Sequence, residues 1–414
     1  MYFKRKNIFL SRIKKRIKRL FHLEEKSLFN IPEIVVVVVI STLFGVIVGC
    51  ILTYGRGIAA GLDNKYVKEL INTYNAIIEN YYGNISEADL LNAAVDGMVD
   101  VLGDQYSYYM NKNETADFNQ TLDGSYIGIG ATIKFSDSGN EIIELFENSP
   151  ADKAGLKVGD IIIGVNGVGV SGYSANELSN LLVGENGTSV DIKVKRGEEV
   201  KEFSFMRGIV TIPSVSSKVV EDKDIKIGYI DIDNFAANTY YQFKDHLTKL
   251  EKNKIGSLII DVRDNTGGHL TQVNKILSMF FDKKTLLYQI ETKNGVENVY
   301  STGKDERNYE VVVLINYGSA SASEILASAF QDNYKNSTIV GMKSYGKGTI
   351  QSAIRLSTGA SLKYTSQKWL TSKGVWLDNK GVVPDIEVKI EDPNYLVTDE
   401  KDLQYLKAIE ILKK

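Results

Sequence analysis

An uncharged run of 21 residues near the start of the chain, from Ile34 to Tyr54, most strongly limits what this protein can be. Its length matches the roughly 20 apolar residues that an α-helix needs to cross a bilayer. The residues before it include nine Lys and Arg between positions 4 and 19. Because cytoplasmic flanks carry the excess of positive charge, we expect a basic cytoplasmic segment at 1–33, a single transmembrane helix at 34–54, and an extracytoplasmic remainder.

The charge of the chain divides at the same place. Residues 1–54 hold ten Lys and Arg against three Glu, which gives +7, and the remaining 39 basic and 49 acidic residues give −10. A basic segment can indicate nucleic-acid binding, but this one directly precedes the apolar run, so we expect the membrane and not a nucleic acid as its partner. Cleavage and lipidation at Cys50 is the alternative, although the apolar run continues past Cys50.

Composition excludes several classes of protein. With 414 residues, 43% of them hydrophobic, and only five Pro, the chain suits two or three folded domains and not a disordered protein. One Cys excludes a disulfide framework, and three His without a suitably spaced pair give little basis for a zinc site. A metal site is therefore not expected.

Helices are expected at both ends of the part of the chain that follows the apolar run. Between residues 60 and 123, apolar side chains recur at spacings of three and four, first from Val67 to Ile78 and again from Leu90 to Met98. This spacing predicts a helical N-terminal region. We also expect residues 391–414 to form a helical C-terminal tail.

Residues 124–206 have a different pattern, in which short apolar runs are separated by Gly and Asn turns. This pattern predicts a small β-rich domain. Two helices are expected to interrupt it. One opens at Ser149-Pro150 and can close at Gly155, and the other opens with the capping box Ser174-x-x-Glu177.

This β-rich segment resembles a PDZ domain. The resemblance rests on Tyr126-Ile-Gly-Ile-Gly130, Ser149-Pro-Ala-Asp-Lys-Ala-Gly155 and Val158-Gly-Asp-Ile-Ile-Ile-Gly-Val-Asn-Gly167. It implies a peptide-binding site in which backbone N–H groups of a glycine-containing loop hold the peptide's C-terminal carboxylate, while the peptide adds a strand. The residues implicated are Tyr126, Ile127, Gly128, Ile129 and Gly130.

Residues 207–390 alternate between apolar strands and amphipathic helices, which predicts βαβ units and a mostly parallel sheet. The whole chain is thus expected to be a multidomain protein of the α+β and α/β classes. Ligand sites of parallel sheets lie beyond the carboxyl ends of the strands. Two loops, Arg263-Asp-Asn-Thr-Gly-Gly268 and Tyr317-Gly-Ser-Ala-Ser-Ala-Ser323, follow apolar strands and should project on one side.

A serine in the second loop needs a base to act as a nucleophile. Among the histidines, His22 precedes the membrane run and His246 lies in an amphipathic helix, so only His269, beside the Gly-Gly pair, is a candidate. A buried lysine with a lowered pKa can serve instead, and Lys347 lies between two glycines. Gln351, four residues later on an extended strand, would share its face and orient the amine.

The catalytic region resembles the C-terminal processing peptidases of the tail-specific protease family, S41. The resemblance rests on Asp261-Val-Arg-Asp-Asn-Thr-Gly-Gly268, Gly318-Ser-Ala-Ser-Ala-Ser-Glu324, Tyr345-Gly-Lys-Gly-Thr-Ile-Gln351 and Gly381-Val-Val-Pro-Asp385, in the family's order. It implies that Ser321 is the nucleophile, Lys347 the general base and Gln351 the partner of the lysine. The implied oxyanion hole consists of the N–H groups of Ala322 and Gly268.

The same resemblance implies a membrane-anchored serine endopeptidase that cleaves extracytoplasmic proteins near exposed C-termini through an acyl-enzyme, without a metal or an organic cofactor. The PDZ domain would select the tail and is hypothesised to gate the site, while a homo-oligomer or an activating partner is left open. Arg263 and Asp264 are expected to shape their loop, and Glu324 to serve the N-terminus of its helix. A non-catalytic PDZ adaptor is the alternative, and the joint presence of Ser321, Lys347 and Gln351 is evidence against it.

Overall fold

The computed structural model describes Val35, residues 38–42, 44–45, 64–136, 139–222, 225–304, 307–390 and 401–413. The predicted cytoplasmic segment at 1–33 lies outside these residues, and so does more than half of the predicted transmembrane segment at 34–54. Within the ranges described, no helix has the length and apolar character needed to cross a membrane. The chain divides into two compact units, Met1–Ala93 and Ala94–Lys414.

Two capped helices form the first part of the predicted helical region at 60–123, which also contains a short strand and a third helix, described below. Helix α1 is Lys65–Asn80 and helix α2 is Glu87–Asp100. The side chain of Asn64 accepts the N–H of Tyr66 at 2.9 Å and so caps α1. The hydroxyl of Ser86 accepts the N–H of Asp89 at 3.4 Å, and the acidic residues of the first turn of α2 favour its positive end.

An antiparallel domain follows, and it contains both helices expected from the caps. Its sheet has the order β3-β4-β5-β7-β8, with β6 paired to β5, while β2 pairs with β9. Ser149 caps α4, which ends at Gly155 with φ 88°, and a capping box joins Ser174 and Glu177 at the start of α5. Two elements precede this domain, β1 (Tyr108–Met110), which pairs with β18 described below, and α3 (Lys112–Asp123). The elements of the domain are β2 (Ser125–Gly128), β3 (Ala131–Ser136), β4 (Gly139–Leu145), α4 (Pro150–Ala154), β5 (Ile161–Val165), β6 (Val168–Gly169), α5 (Ala175–Leu182), β7 (Ser189–Arg196), β8 (Glu199–Met206) and β9 (Gly208–Thr211).

The third part of the chain contains the mostly parallel sheet that the alternation of strands and helices predicts. Its order is β10-β11-β12-β15-β16-β19, parallel from β11 onward, with β10 as an antiparallel edge. A second, antiparallel sheet joins β1, β18, β13 and β14, and β17 pairs with β18. The elements are β10 (Val215–Asp222), β11 (Ile225–Ile232), α6 (Thr239–Lys252), β12 (Ser257–Asp261), α7 (Leu270–Leu277), β13 (Leu286–Thr292), β14 (Gly295–Tyr300), β15 (Glu310–Ile315), α8 (Ala322–Asn333), β16 (Ser337–Gly341), β17 (Thr349–Arg355), β18 (Ser361–Thr371), β19 (Ile386–Glu387) and α9 (Leu403–Leu412).

Both faces of the parallel sheet are covered, which explains why its central strands are apolar along their length. Every residue of β12 is buried. Alternate side chains point to opposite faces, so Ile260 and Val313 belong to the core under α6, α7 and α8, whereas Ile259 and Val312 pack with residues of α9. Of the predicted helical tail at 391–414, residues 391–400 and 414 lie outside the described part, and the rest contains α9, which covers the second face of this sheet.

Candidate active site

The two predicted loops meet at the carboxyl edge of the parallel sheet. They follow β12 and β15, which are adjacent and parallel. The hydroxyl of Ser319 donates to the carbonyl of Val262 at 2.7 Å, and that of Ser323 donates to the carbonyl of Asn265 at 2.8 Å. These two serines therefore join the loops, and Ser321 lies between them, immediately before α8.

Ser321 has the backbone conformation of a strained turn. Its φ of 55° and ψ of −112° are unusual for a residue with a side chain and cost ~1–3 kcal/mol. The loop of Gly267 packs closely against it, because a Cβ added at Gly267 would lie 2.8 Å from Ser321 Cβ and 3.0 Å from the nitrogen of Ala322. The arrangement is similar to the strand-turn-helix elbow that exposes nucleophiles in other hydrolases.

A fully buried carboxylate, Glu324, connects the loop of Ser321 to the loop of Lys347. Its Oε2 accepts the N–H of Ser321 at 2.9 Å and that of Lys347 at 2.8 Å. Its Oε1 accepts the hydroxyl of Ser344 at 2.6 Å and the N–H of Gly346 at 2.7 Å. Burial raises the pKa of Glu324, while these four hydrogen bonds act in the opposite direction. The sequence indicated a role for Glu324 at the N-terminus of α8, but it did not indicate the hydrogen bonds from Glu324 to the loop of Lys347.

Lys347 is held between two tightly packed glycines. A Cβ at Gly346 would lie 2.9 Å from the nitrogen of Gly381, and one at Gly348 would lie 2.5 Å from Trp376 Nε1. Trp369 Nε1 donates to the Lys347 carbonyl at 2.7 Å. The backbone of the lysine is therefore fixed on both sides.

The environment of the Lys347 amine favours its neutral form. Burial lowers the pKa of Lys347 to about 8, repulsion from Lys363 adds to this effect, and Glu324 and Asp104 oppose it. Its Nζ lies 4.8 Å from the centroid of the Tyr106 ring. A large fraction of the amine is thus neutral near pH 8, as a general base requires.

A cavity of about 530 Å³ brings the predicted catalytic residues together. Ser321, Lys347, Gln351 and Gly268 all line it, and so does His269. Across the described part of the chain, no group of three or more His, Cys, Asp and Glu side chains is arranged to hold a metal ion. The chemistry that this cavity offers is that of a hydroxyl, an amine and backbone amides.

The predicted oxyanion donors are the amides left without an acceptor around Ser321. The N–H of Gly267 donates to Asn265 Oδ1 at 2.8 Å, and the N–H of Ser321 is taken by Glu324. Among the described residues, the N–H groups of Gly268 and Ala322 have no hydrogen-bond acceptor. Two unpaired amides beside a candidate nucleophile are what an oxyanion hole needs.

The predicted pairing of Gln351 with Lys347 is not formed as a hydrogen bond. Gln351 Nε2 donates to Thr349 Oγ1 at 3.0 Å and to Thr365 Oγ1 at 3.2 Å, and no hydrogen bond joins it to Lys347 among the described residues. A β-bulge between Ile350 and Gln351 alters the side-chain alternation on which the shared face was predicted.

His269 is the alternative base considered from the sequence. Its Nε2 is buried and has no hydrogen-bond partner within the described part of the chain, so it is not bonded to Ser321. Among the described residues, Lys347 is not hydrogen-bonded to Ser321 either, and the two candidate bases differ in that burial lowers the pKa of Lys347 to about 8.

Arg263 connects the catalytic loop to the C-terminal helix. Its guanidinium donates to Asp261 Oδ2 at 2.6 Å and to both oxygens of Asp402 at 2.8 Å each. Asp402 also caps α9 by accepting the N–H of Tyr405 at 3.0 Å. The expected loop-shaping role of Arg263 is thus exerted through a buried ion-pair network, and no sequence signal indicated that Asp402 is part of it.

The predicted peptide-binding residues lie beside a second, apolar groove of about 310 Å³ between β3 and α5. Tyr126 and Ile129 line the groove, together with Ile133, Leu182 and others. Ile127 instead lies in the ladder between β2 and β9, opposite Ile209. Two of the five residues predicted to bind a peptide, Tyr126 and Ile129, therefore line this groove.

The glycines of this loop permit close packing. A Cβ at Gly128 would lie 2.7 Å from the Tyr126 ring, and Gly130, with φ 83°, would place a Cβ 2.2 Å from that of Ser149. Burial raises the pKa of Tyr126, and the N–H groups of Gly130 and Ala131 lower it. One of the amides predicted to bind a carboxylate, that of Gly130, thus lies close to the Tyr126 phenol.

Three segments of the chain match known protein families. Residues 226–388 match peptidase family S41, residues 145–196 match the PDZ domain, and residues 59–115 match the N-terminal domain of the activating protease CtpB.

Full-length relatives extend these matches over most of the chain. The carboxy-terminal processing protease CtpB of Bacillus subtilis is 37% identical over 332 residues, which cover 80% of this chain and 69% of that protein. The carboxy-terminal processing protease CtpA of the same organism is 35% identical over 364 residues, covering 87% and 77%. The structure of a photosystem II D1 C-terminal processing protease aligns with a TM-score of 0.46 at 26% identity, covering 85% of this chain and 92% of that one.

Proposed function

This chain belongs to the S41 family of carboxy-terminal processing serine proteases, and we propose that it cleaves its protein substrates with Ser321 and Lys347 as nucleophile and general base. One observation carries this proposal. The same carboxylate oxygen of Glu324 accepts the backbone N–H groups of both residues, at 2.9 and 2.8 Å, so the two are held around one atom at the edge of one cavity.

In the proposed reaction, neutral Lys347 accepts the proton of Ser321 Oγ as that oxygen attacks the carbonyl carbon of the scissile bond. The N–H groups of Ala322 and Gly268 stabilise the negative charge on the carbonyl oxygen. The lysine ammonium then protonates the departing amine. Water, deprotonated by Lys347, hydrolyses the acyl-enzyme and restores Ser321.

Gln351 is proposed to orient the lysine amine through its side-chain oxygen. Its Nε2 is already engaged with two threonine hydroxyls, so Oε1 is the atom left to accept a hydrogen bond from Lys347. A Gln351→Glu variant keeps this acceptor but adds a charge that favours the ammonium. It should therefore lower kcat at neutral pH and regain activity at higher pH, whereas Gln351→Leu should not regain it.

The Ser/Lys assignment is tested with the full-length chain and an unfolded reporter protein that ends in an apolar tail. Ser321→Ala and Lys347→Ala should each abolish cleavage, whereas His269→Ala should retain it. Lys343→Ala, at an exposed position of the same loop, is the matched control. Near-normal cleavage by Lys347→Ala together with loss in His269→Ala would contradict the lysine assignment.

We propose that the PDZ domain selects substrates by a C-terminus with an apolar last side chain. The supporting observation is the apolar groove of about 310 Å³ beside the Tyr126–Gly130 loop, since a PDZ ligand adds a strand next to such a groove. Tail binding is further proposed to open the active site, which remains a hypothesis from domain order.

Val183→Lys places a charge in this groove at a position that is 43% exposed, so folding should be preserved. It should weaken binding of a fluorescent tail peptide and slow the cleavage of tailed proteins. Val200→Lys, 55% exposed on β8 and outside the groove, is the control. Equal tail binding by both variants would contradict tail selection at this groove.

We also propose that residues 34–54 span the cell membrane once, with residues 1–33 in the cytoplasm and the protease outside it. The uncharged run and the basic residues before it support this topology. Full-length protein should sediment with membranes and be digested by protease added outside spheroplasts, and deletion of 34–54 should release it. If Cys50→Ala alone released the protein, a lipid anchor would replace the spanning helix.

A further inference from the structure

The charge distribution in the catalytic cavity points to a feature of the substrate. The titratable side chains that line it are Lys347, Lys363 and His269, and none of the described lining residues is an Asp or a Glu. Lys347 must be neutral to act as the proposed base, so it is not the group that would give the cavity a lasting positive charge. Lys363 is that group.

Lys363 is held by uncharged partners. Its Nζ donates to the hydroxyl of Tyr108 at 3.0 Å and lies 4.7 Å from the centroid of the same ring. The Nζ also lies 5.0 Å from the ring centroid of Phe118, a residue of α3 that lines the same cavity. Aromatic rings attract an ammonium but do not neutralise it. Within the described part of the chain, no carboxylate pairs with Lys363.

Lys368, a second lysine on β18, differs from Lys363 in its charged partner. Lys368 Nζ lies over the Trp376 ring, as Lys363 lies over its rings, but it also pairs with Glu291 at 3.4 Å. Its position is solvent-facing, with the side chain 44% exposed. The strand thus carries one lysine with a protein carboxylate partner and one without, and the one without lines the catalytic cavity.

We propose that Lys363 binds a carboxylate of the substrate, and that the enzyme therefore prefers peptides carrying a negative group close to the scissile bond. This inference rests on the proposed function of the same cavity. The carboxylate is either the free C-terminus of the substrate or an Asp or Glu side chain, and both would make the same charged hydrogen bond to the ammonium. Lys363 is in this view a specificity-determining residue that contacts substrate, distinct from the base.

The test uses the full-length chain and a series of fluorogenic peptides of one sequence. The series contains a free acid, a C-terminal amide, and amides in which Gln is replaced by Glu at one flanking position at a time. Within each variant we compare kcat/KM for the charged peptide with that for its neutral counterpart, so changes in overall rate cancel. A charged hydrogen bond predicts a ratio on the order of tenfold for at least one pair.

Lys363→Met should reduce this ratio to about one, Lys363→Arg should retain most of it, and Lys368→Met should leave it as in the wild type. Loss confined to the acid and amide pair identifies the C-terminal carboxylate, and loss confined to a Glu and Gln pair identifies a side chain. An acid preference that survives Lys363→Met but disappears in Val183→Lys belongs to the PDZ domain and overturns the C-terminal assignment.

The proposal is wrong if Lys363→Met leaves every charged-to-neutral ratio of kcat/KM unchanged while Ser321→Ala abolishes cleavage. Lys363 would then act only by lowering the pKa of Lys347 through charge repulsion. Cleavage that persists in Ser321→Ala would instead contradict the proposed function itself. The two failures are therefore distinguishable in the same set of measurements.

Discussion

Replacing Glu324 by Gln removes the charge that holds the loops of Ser321 and Lys347 together but keeps the size and shape of the side chain. In the native protein, each carboxylate oxygen accepts two hydrogen bonds. In the amide, one of these oxygens becomes an NH2 group, which faces two donors instead of accepting from them. If Oε2 is replaced, the backbone N–H groups of Ser321 and Lys347 both lose their acceptor.

The magnitude follows from these contacts. A hydrogen bond to a charged group contributes ~1.5–3 kcal/mol, so loss of two costs ~3–6 kcal/mol before compensation. Removal of a buried charge, whose burial raises the pKa of Glu324, returns part of this. We expect a net loss of about 2–4 kcal/mol in the free energy of unfolding. Because the loops of both proposed catalytic groups would move, kcat should fall by about 100-fold with little change in KM.

Tryptophan fluorescence measures the stability change where it occurs. The chain has two tryptophans, Trp369 and Trp376, and their Nε1 groups donate to the carbonyls of Lys347 and Gly348 at 2.7 and 2.9 Å. Denaturant unfolding followed by this signal therefore reports on the loop that Glu324 holds. Glu297→Gln, at an exposed position of β14, is the control.

Two results would refute this reasoning about Glu324. One is a Glu324→Gln variant whose kcat remains within about threefold of wild type, a change equivalent to less than 1 kcal/mol of barrier. The other is a large rise in KM with kcat unchanged. The second would mean that Glu324 shapes substrate binding and not the placement of the catalytic groups.

Three further predictions concern the base, the oxyanion loop and the C-terminal helix. Since Lys347 is proposed to act when neutral and its pKa is lowered to about 8, kcat/KM should rise about tenfold from pH 7 to pH 9. A flat profile would exclude Lys347 as the base. Gly267→Ala should abolish activity, because its Cβ would lie 2.8 Å from that of Ser321, the proposed nucleophile. Gly295→Ala is the control for backbone strain alone, since φ there is 130° and no atom lies within 4 Å of the added Cβ. Equal activities of the two variants would contradict the close approach of Gly267 to Ser321. Asp402→Asn weakens a buried pair with Arg263 and should lower the tryptophan-reported stability by ~3 kcal/mol, and an unchanged unfolding midpoint would show that the pair contributes nothing.

Local patterns were sufficient for much of the fold. Ser149-Pro150 and the capping box at Ser174 each mark a helix start that the structure contains, because a cap is satisfied by residues within one turn. The buried parallel strands could be predicted for a similar reason, since a strand covered on both faces must be apolar throughout, as β12 is. The loops at 263–268 and 317–323 could be placed on one side because the carboxyl ends of parallel strands share an edge.

Residue counting alone does not describe the pairing of Lys347 with Gln351. Both residues line the same cavity, as the count suggested, but a bulge at Ile350 and Gln351 interrupts the alternation, and no hydrogen bond joins the two side chains among the described residues. A bulge depends on how a strand pairs with its neighbour, here β18, and so it is not encoded in the spacing of a single segment.

The sequence by itself therefore determined the order of the motifs along the chain and the choice of Ser321 and Lys347 as candidates. It also determined the alternation of strands and helices. Only the tertiary structure decided what surrounds Ser321 and Lys347. Arg263 and Asp402 are 139 positions apart, and Lys363 and Tyr108 are 255 positions apart. Such contacts depend on which strands become neighbours and which helix covers a sheet face, and no local periodicity records that choice.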